Sequence, residues 1–167
     1  QSAVLEGQWQ AGPTGTNATQ KFVLEVVGLF NDTATKVTAT ISLFDRPGSA
    51  LFANITLALR PELAKLSLAI TGWPWLSPDN HLEVAIAVHP PFASATALNT
   101  TANMTTFELR GQHGGRVDAT IRVLDAAEVI SNTTTTIVTT TSFINTAASE
   151  LVLRFPYFGN ATLIHDP

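Results

Sequence analysis

Long runs in which every second residue is apolar restrict this chain more than any other feature. Val37, Ala39, Ile41 and Leu43 alternate with Thr38, Thr40 and Ser42. In an extended strand successive side chains point to opposite faces, so a period of two gives one face to a core and the other to water. The same alternation runs through Leu51, Ala53, Ile55, Leu57 and Leu59, with Asn54 and Thr56 on the solvent face. It recurs in Leu66, Leu68 and Ile70, in Leu82 to Val88, in Val117 to Val123, and in Leu151, Leu153 and Phe155. Phe22, Leu24 and Val26 begin an earlier strand. Asn31-Asp32, Pro47-Gly48, Gly72 to Pro74, Pro78 to Asn80, Pro90-Pro91 and Gly114-Gly115 punctuate the runs as turns. Helical signals are confined to one turn each at Pro61 to Lys65 and Asp125 to Val129. Ala93 to Asn103 is poor in apolar residues and reads as a long loop. The expected fold is all-β: a single antiparallel β-sandwich, jelly-roll or immunoglobulin-like, of about 9–11 strands. It covers residues 13–167, after an N-terminal strand over 1–12 that extends from it.

The second constraint is chemical. Asn-x-Thr, the acceptor for N-linked glycan, occurs at Asn17, Asn31, Asn54, Asn99, Asn103, Asn132 and Asn160. Only Asn80 and Asn145 stand outside such a triplet. With Ser and Thr near a fifth of the chain, nine asparagines give roughly two triplets by chance. An excess of this size predicts covalent N-linked glycans and a secretory, extracellular or cell-surface location. Glycan also answers a solubility problem, because charged residues are only 13% of the chain against 45% hydrophobic. The runs Thr133 to Thr136 and Thr139 to Thr141 suit either O-linked sugar or β-strands, which favour Thr.

Several function classes lose their footing. The net charge is −4 and the basic residues never cluster, which argues against a nucleic-acid partner. Without cysteine there is no thiolate zinc site, redox dithiol or thiol nucleophile. No apolar run approaches the ~18 residues of a membrane span. His81, His89, His113 and His165 lack metal-ligand spacing, the acids are scattered, and no nucleophile elbow or phosphate loop occurs. The reading is therefore a non-enzymatic protein without a cofactor or metal site. The start at Gln1-Ser2-Ala3 suits a mature end left by cleavage.

Two features point to contacts. Trp73-Pro74-Trp75 offers large flat rings that either stack on sugar, as in a secreted lectin-like module, or cap the end of the sandwich. At the N-terminus, Ala3, Leu5 and Gly7 alternate with Val4, Glu6 and Gln8, and Gly12 to Asn17 follows as a hinge or long turn. That first strand either packs on its own domain or completes a neighbour's sheet. Over these first dozen residues the arrangement resembles, in architecture alone, the subunits of donor-strand pili and similar extracellular β-sandwich filaments; no pilin motif accompanies it. The resemblance implies a glycosylated subunit that self-associates head to tail into a polymer, with Val4, Leu5 and Trp9 as donated contacts.

Overall fold

Thr35, Val37, Ala39 and Ile41 take the inward positions of a strand that becomes the spine of the largest sheet. The computed structural model describes residues 8–12, 20–30, 33–61, 63–101, 103–111, 117 and 119–166. Fifteen strands run through them: β1 (Gln10–Ala11), β2 (Gln20–Phe30), β3 (Thr33–Leu43), β4 (Gly48–Phe52), β5 (Ile55–Leu59), β6 (Ala64–Thr71), β7 (Leu82–Ala87), β8 (Ser94–Thr101), β9 (Met104–Arg110), β10 (Ala119–Leu124), β11 (Ala126–Ile130), β12 (Thr135–Thr139), β13 (Thr141–Asn145), β14 (Glu150–Phe155) and β15 (Thr162–His165). Among the described residues there is no helix. The protein is all-β and its sheets are antiparallel, as the alternation requires.

The strands form four sheets of seven, three, three and two members. The chain divides into two compact units: Gln1–Leu76 with Glu128–Ile137 and Phe158–Pro167, and Ser77–Ala127 with Val138–Tyr157.

The seven-stranded sheet, most of it in the first unit, has the order β1-β2-β3-β6-β15-β11-β12. Its register lines up Val26, Val37, Ile70, Leu163 and Val129 as one row across five strands. Leu24, Ala39, Leu68 and His165 form the next row on the same face. Ile70, Leu163 and His165 are fully buried there. Each aliphatic side chain so buried contributes about 1.5–3 kcal/mol. The opposite face carries Glu25, Lys36, Thr38, Thr40 and Ser42, with Lys36 Nζ 2.7 Å from Glu25 Oε2. Near the end of the chain, Lys65 Nζ lies 2.8 Å from Asp166 Oδ1, which also accepts the Ser67 hydroxyl.

In the second unit, the sheet β13-β14-β7 puts Leu151 opposite Ile86, Leu153 opposite Val84 and Phe155 opposite Leu82. The sheet β10-β9-β8 puts Phe107 opposite Ile121 and Leu109 opposite Ala119. Phe107, Leu109, Val123, Leu151, Leu153 and Phe155 are buried.

Four local expectations change. The run Leu51 to Leu59 is not one strand but the β4–β5 hairpin, turning at Ala53 and Asn54 with φ of 48° and 63°. Both values lie in the left-handed region that a two-residue type I′ hairpin demands. The turn shifts the phase, so Phe52 is buried and Leu51 is exposed. Ala93 to Asn103 holds strand β8, paired along β9 with an irregularity between Asn99 and Thr101. An edge strand with few apolar residues needs only its neighbour's backbone groups to form. Asp125 to Val129 is extended, because Ala126 and Ala127 are buried in β11. At Pro61 to Lys65 the Leu63 N–H donates to the Arg60 carbonyl at 3.0 Å, and β6 begins one residue later.

Candidate functional site: sequon turns and an open sheet edge

Four of the seven sequon asparagines have described side chains, and all four are exposed at turns. Asn54 is the second turn residue of the β4–β5 hairpin. Asn103 sits between β8 and β9, Asn132 between β11 and β12, and Asn160 just before β15. Turns place a side chain away from both sheet faces, so a bulky sugar there disturbs neither a core nor a ladder. Asn99 lies within β8. Asn17 and Asn31 fall outside the described residues.

Three of the threonines in these four triplets have structural partners. Thr105 Oγ1 lies 3.0 and 3.2 Å from the two Asp125 carboxylate oxygens. Thr134 Oγ1 is 2.9 Å from Ser131 Oγ, in a turn where the Ser131 N–H also donates to the Thr134 carbonyl. Thr162 and Thr71 pair their hydroxyls at 3.1 Å. Asn145, outside any sequon, donates its side-chain amide to Glu150 at 3.4 Å. Of the threonine runs, Thr133 to Thr136 are exposed, whereas Thr140 is buried and donates its hydroxyl to the Leu124 carbonyl at 3.2 Å. A hydroxyl spent in this way serves the fold and not a sugar.

Val4 and Leu5 lie outside the described residues. Trp9 is 45% exposed, immediately before β1. β1 pairs with the outer edge of β2 through Gln10 opposite Val23 and Ala11 opposite Phe22, and the Gly12 N–H donates to the Lys21 carbonyl at 2.8 Å. β2 is eleven residues long. Among the described residues its edge from Leu24 onward therefore has no neighbour on the side away from β3.

Trp73 and Trp75 are both half-buried. The Trp75 backbone N–H donates to the Trp73 carbonyl at 3.0 Å, which folds the corner back on itself. The Trp75 ring meets Phe158 edge to face, centroids 5.1 Å apart. That geometry packs the corner against its own unit.

A charged group that the sequence did not flag lies on the polar face of β13-β14-β7. Arg154 Nε and Nη2 donate to Glu83 Oε1 at 2.9 and 2.5 Å. The Arg154 guanidinium stands 5.6 Å from the Phe143 ring centre, and His81 Nε2 is 3.4 Å from the same Glu83 oxygen. The Arg154 hydrogen bonds hold the Glu83 carboxyl below its ordinary range. Glu83 and Arg154 each break an apolar alternation at a solvent position, which is the local signal. Their pairing, 71 residues apart, has none. Among the described residues no three His, Cys, Asp or Glu side chains gather as a metal-holding group, and no helix is long and apolar enough to cross a membrane.

Comparison with protein-family models, with curated proteins and with solved structures finds no significant match.

Proposed function

We propose that this chain is a structural subunit of an extracellular, N-glycosylated filament or surface layer, and that it polymerises head to tail by strand complementation. The observation that carries the reading is the pairing of Gln10 and Ala11 with one end of the eleven-residue β2, whose remaining edge has no neighbour among the described residues. An arm that already adds to a sheet edge is suited to adding to a neighbour's, because the main-chain hydrogen bonds are the same in either place. A head-to-tail contact repeats into an open fibre when its rotation does not close. Exposed sequon turns support the same reading, since sugars there would clothe the subunit without entering a sheet. One-faced apolar sheets are what a β-sandwich requires, and we include that architecture in the proposal. The subunit needs no catalytic group, cofactor or metal, and its partner is another copy of itself.

Native glycosylated protein imaged by negative-stain electron microscopy, beside a version lacking Gln1 to Gln10, tests the proposal. Regular filaments in the full-length sample that vanish on truncation are expected. Monodisperse particles in both samples, at every concentration, overturn it. The alternative, a carbohydrate-binding module using Trp73 and Trp75, has less support, because the edge-on packing against Phe158 occupies Trp75.

A further inference from the structure

Thr133 to Thr136 span the β11–β12 turn and the start of β12, and their four hydroxyls are not equivalent. Thr134 Oγ1 is 2.9 Å from Ser131 Oγ, and the Thr134 N–H donates to the same Ser131 oxygen at 3.2 Å. That hydroxyl serves the turn. Thr133, Thr135 and Thr136 are exposed, and among the described residues their hydroxyls have no hydrogen-bond partner. The second threonine run differs: Thr140 is buried and bonded to the Leu124 carbonyl, and Thr141 stands in β13 opposite Arg154. Successive residues of a strand point to opposite faces. Thr135, Thr136 and Ile137 are nevertheless all exposed, Ile137 by 49%, so this part of β12 shows both faces to solvent. Between Glu128 and Glu150 there is no charged residue and no proline. An exposed, uncharged stretch of Thr, Ile and Val is prone to pair with other chains, and charges or prolines normally guard such a stretch. Strand propensity alone accounts for Thr within β12. It does not account for Thr133, which precedes the strand, or for the missing guard.

We propose that Thr133, Thr135 and Thr136 are O-glycosylation sites of the folded chain, and that their sugars supply the missing guard. The proposal rests on the reading of the chain as a secreted glycoprotein. In the transfer, a threonine Oγ attacks the anomeric carbon of a sugar activated as its nucleoside diphosphate or as a lipid phosphate. The new C–O bond forms as the bond from that carbon to the phosphate oxygen breaks. The phosphate leaves with the electron pair, and the hydroxyl proton passes to a base of the transferase. An exposed hydroxyl without a partner is ready for that step. Those of Thr134 and Thr140 must first give up the bonds that hold the turn and the core. Added sugar is bulky and hydrophilic, so it wets Ile137 and keeps a second chain from lying along β12.

Peptide mapping of the native secreted protein tests the assignment. The protein is treated with the amidase that removes N-linked glycan and is then cleaved after glutamate, which releases Val129 to Glu150 as one peptide. Mass spectrometry with electron-transfer fragmentation then locates the remaining sugar. Hexose- or N-acetylhexosamine-sized additions on Thr133, Thr135 and Thr136, removable by alkaline β-elimination, are expected. Thr133→Val, Thr135→Val and Thr136→Val, combined in one chain from the same secreting cells, should abolish those additions. The Asn132 glycan should stay in that variant, because Thr134 of its sequon is untouched. The wild-type map decides the matter by itself should the triple variant fail to be secreted. A bare peptide after the amidase, from protein that carried N-linked sugar before it, overturns the proposal and leaves the glycoprotein reading standing. Sugar confined to Thr139, Thr141 or Thr146 also overturns it. Protein that carries neither kind of sugar removes the proposal and the glycoprotein reading together.

Discussion

Thr35, buried in β3, donates its hydroxyl to the carbonyl of Gly72 at 2.7 Å. The bond ties the end of β6 to the start of β3 just before the Trp73-Pro74-Trp75 corner. Gly72 has a φ of 71°, and a Cβ there would stand 2.1 Å from the Ala34 carbonyl oxygen. Backbone cannot yield as a side-chain tip can, and the conformation itself costs an L-residue about 1–2 kcal/mol. Gly72→Ala should therefore destabilise by more than about 2 kcal/mol. Thr35→Val, which removes the bond and leaves the shape, should cost about 1–3 kcal/mol. Urea unfolding monitored by Trp fluorescence measures both. A Gly72→Ala midpoint equal to wild type would show that the corner relaxes freely.

Leu163 has no exposed surface and stands between Ile70 and Val129 in the row that crosses the large sheet. Leu163→Ala should cost about 2–5 kcal/mol, through lost transfer energy and the cavity left behind. Leu51→Ala, on the exposed face of the β4–β5 hairpin, should stay within about 0.5 kcal/mol of wild type. Equal losses at the two positions would contradict the phase of the hairpin.

Arg154 and Glu83 predict a pH dependence of definite sign. Because Arg154 lowers the folded-state Glu83 pKa, the pair stabilises the fold above the ordinary Glu value. That contribution fades as pH falls through the lowered value. Both side chains are substantially exposed, so it amounts to less than about 1 kcal/mol. Arg154→Met should unfold at lower urea than wild type at pH 7, and the gap should close on acidification. A gap that is constant with pH would assign the effect to lost packing over Phe143.

Glycan occupancy can be tested without disturbing the turns. Thr56 is exposed, so Thr56→Ala removes the Asn54 sequon and leaves the left-handed turn residue in place. Intact-mass spectrometry of secreted protein should show the loss of one glycan, as for Asn54→Gln. The Gln variant should also be less stable, by about 1 kcal/mol, because Gln tolerates that φ less well. An unchanged mass in both variants would show that Asn54 carries no sugar.

The engaged sequon threonines imply an order of events. N-linked transfer uses the hydroxyl of the sequon, and Thr105 is hydrogen-bonded to Asp125 once the chain folds. Sugar at Asn103 should therefore be added before folding. Folded, unglycosylated protein offered to the transferase should stay unmodified at Asn103, while the denatured chain accepts sugar. Equal transfer to both would refute the order.

Much of the fold was legible in the sequence, because a strand with one buried face must alternate. Val37 to Leu43, Leu66 to Ile70 and Leu82 to Val88 needed no tertiary information to be read as strands, and the sequon triplets are equally local patterns. Other segments misled for identifiable reasons. Leu51 to Leu59 turns at Ala53-Asn54 without glycine or proline, so the reversal is marked only by Asn54, whose sequon reads equally well on the solvent face of an unbroken strand. β8 is poor in apolar residues because its place is set by β9. Ala126 and Ala127 carry almost no side-chain signal, yet burial makes them strand.

Partnership is what only the tertiary structure decided. β15 pairs with β6 and β11, and Arg154 reaches Glu83, across spans of sequence that no local pattern can bridge. Alternation is a property of each strand by itself, but which strand lies beside which depends on the packing of all the others. For that reason the chain announced strands and sequons one by one, whereas the four sheets, the phase of the hairpin and the pairing of β1 with β2 emerged only from the assembled fold.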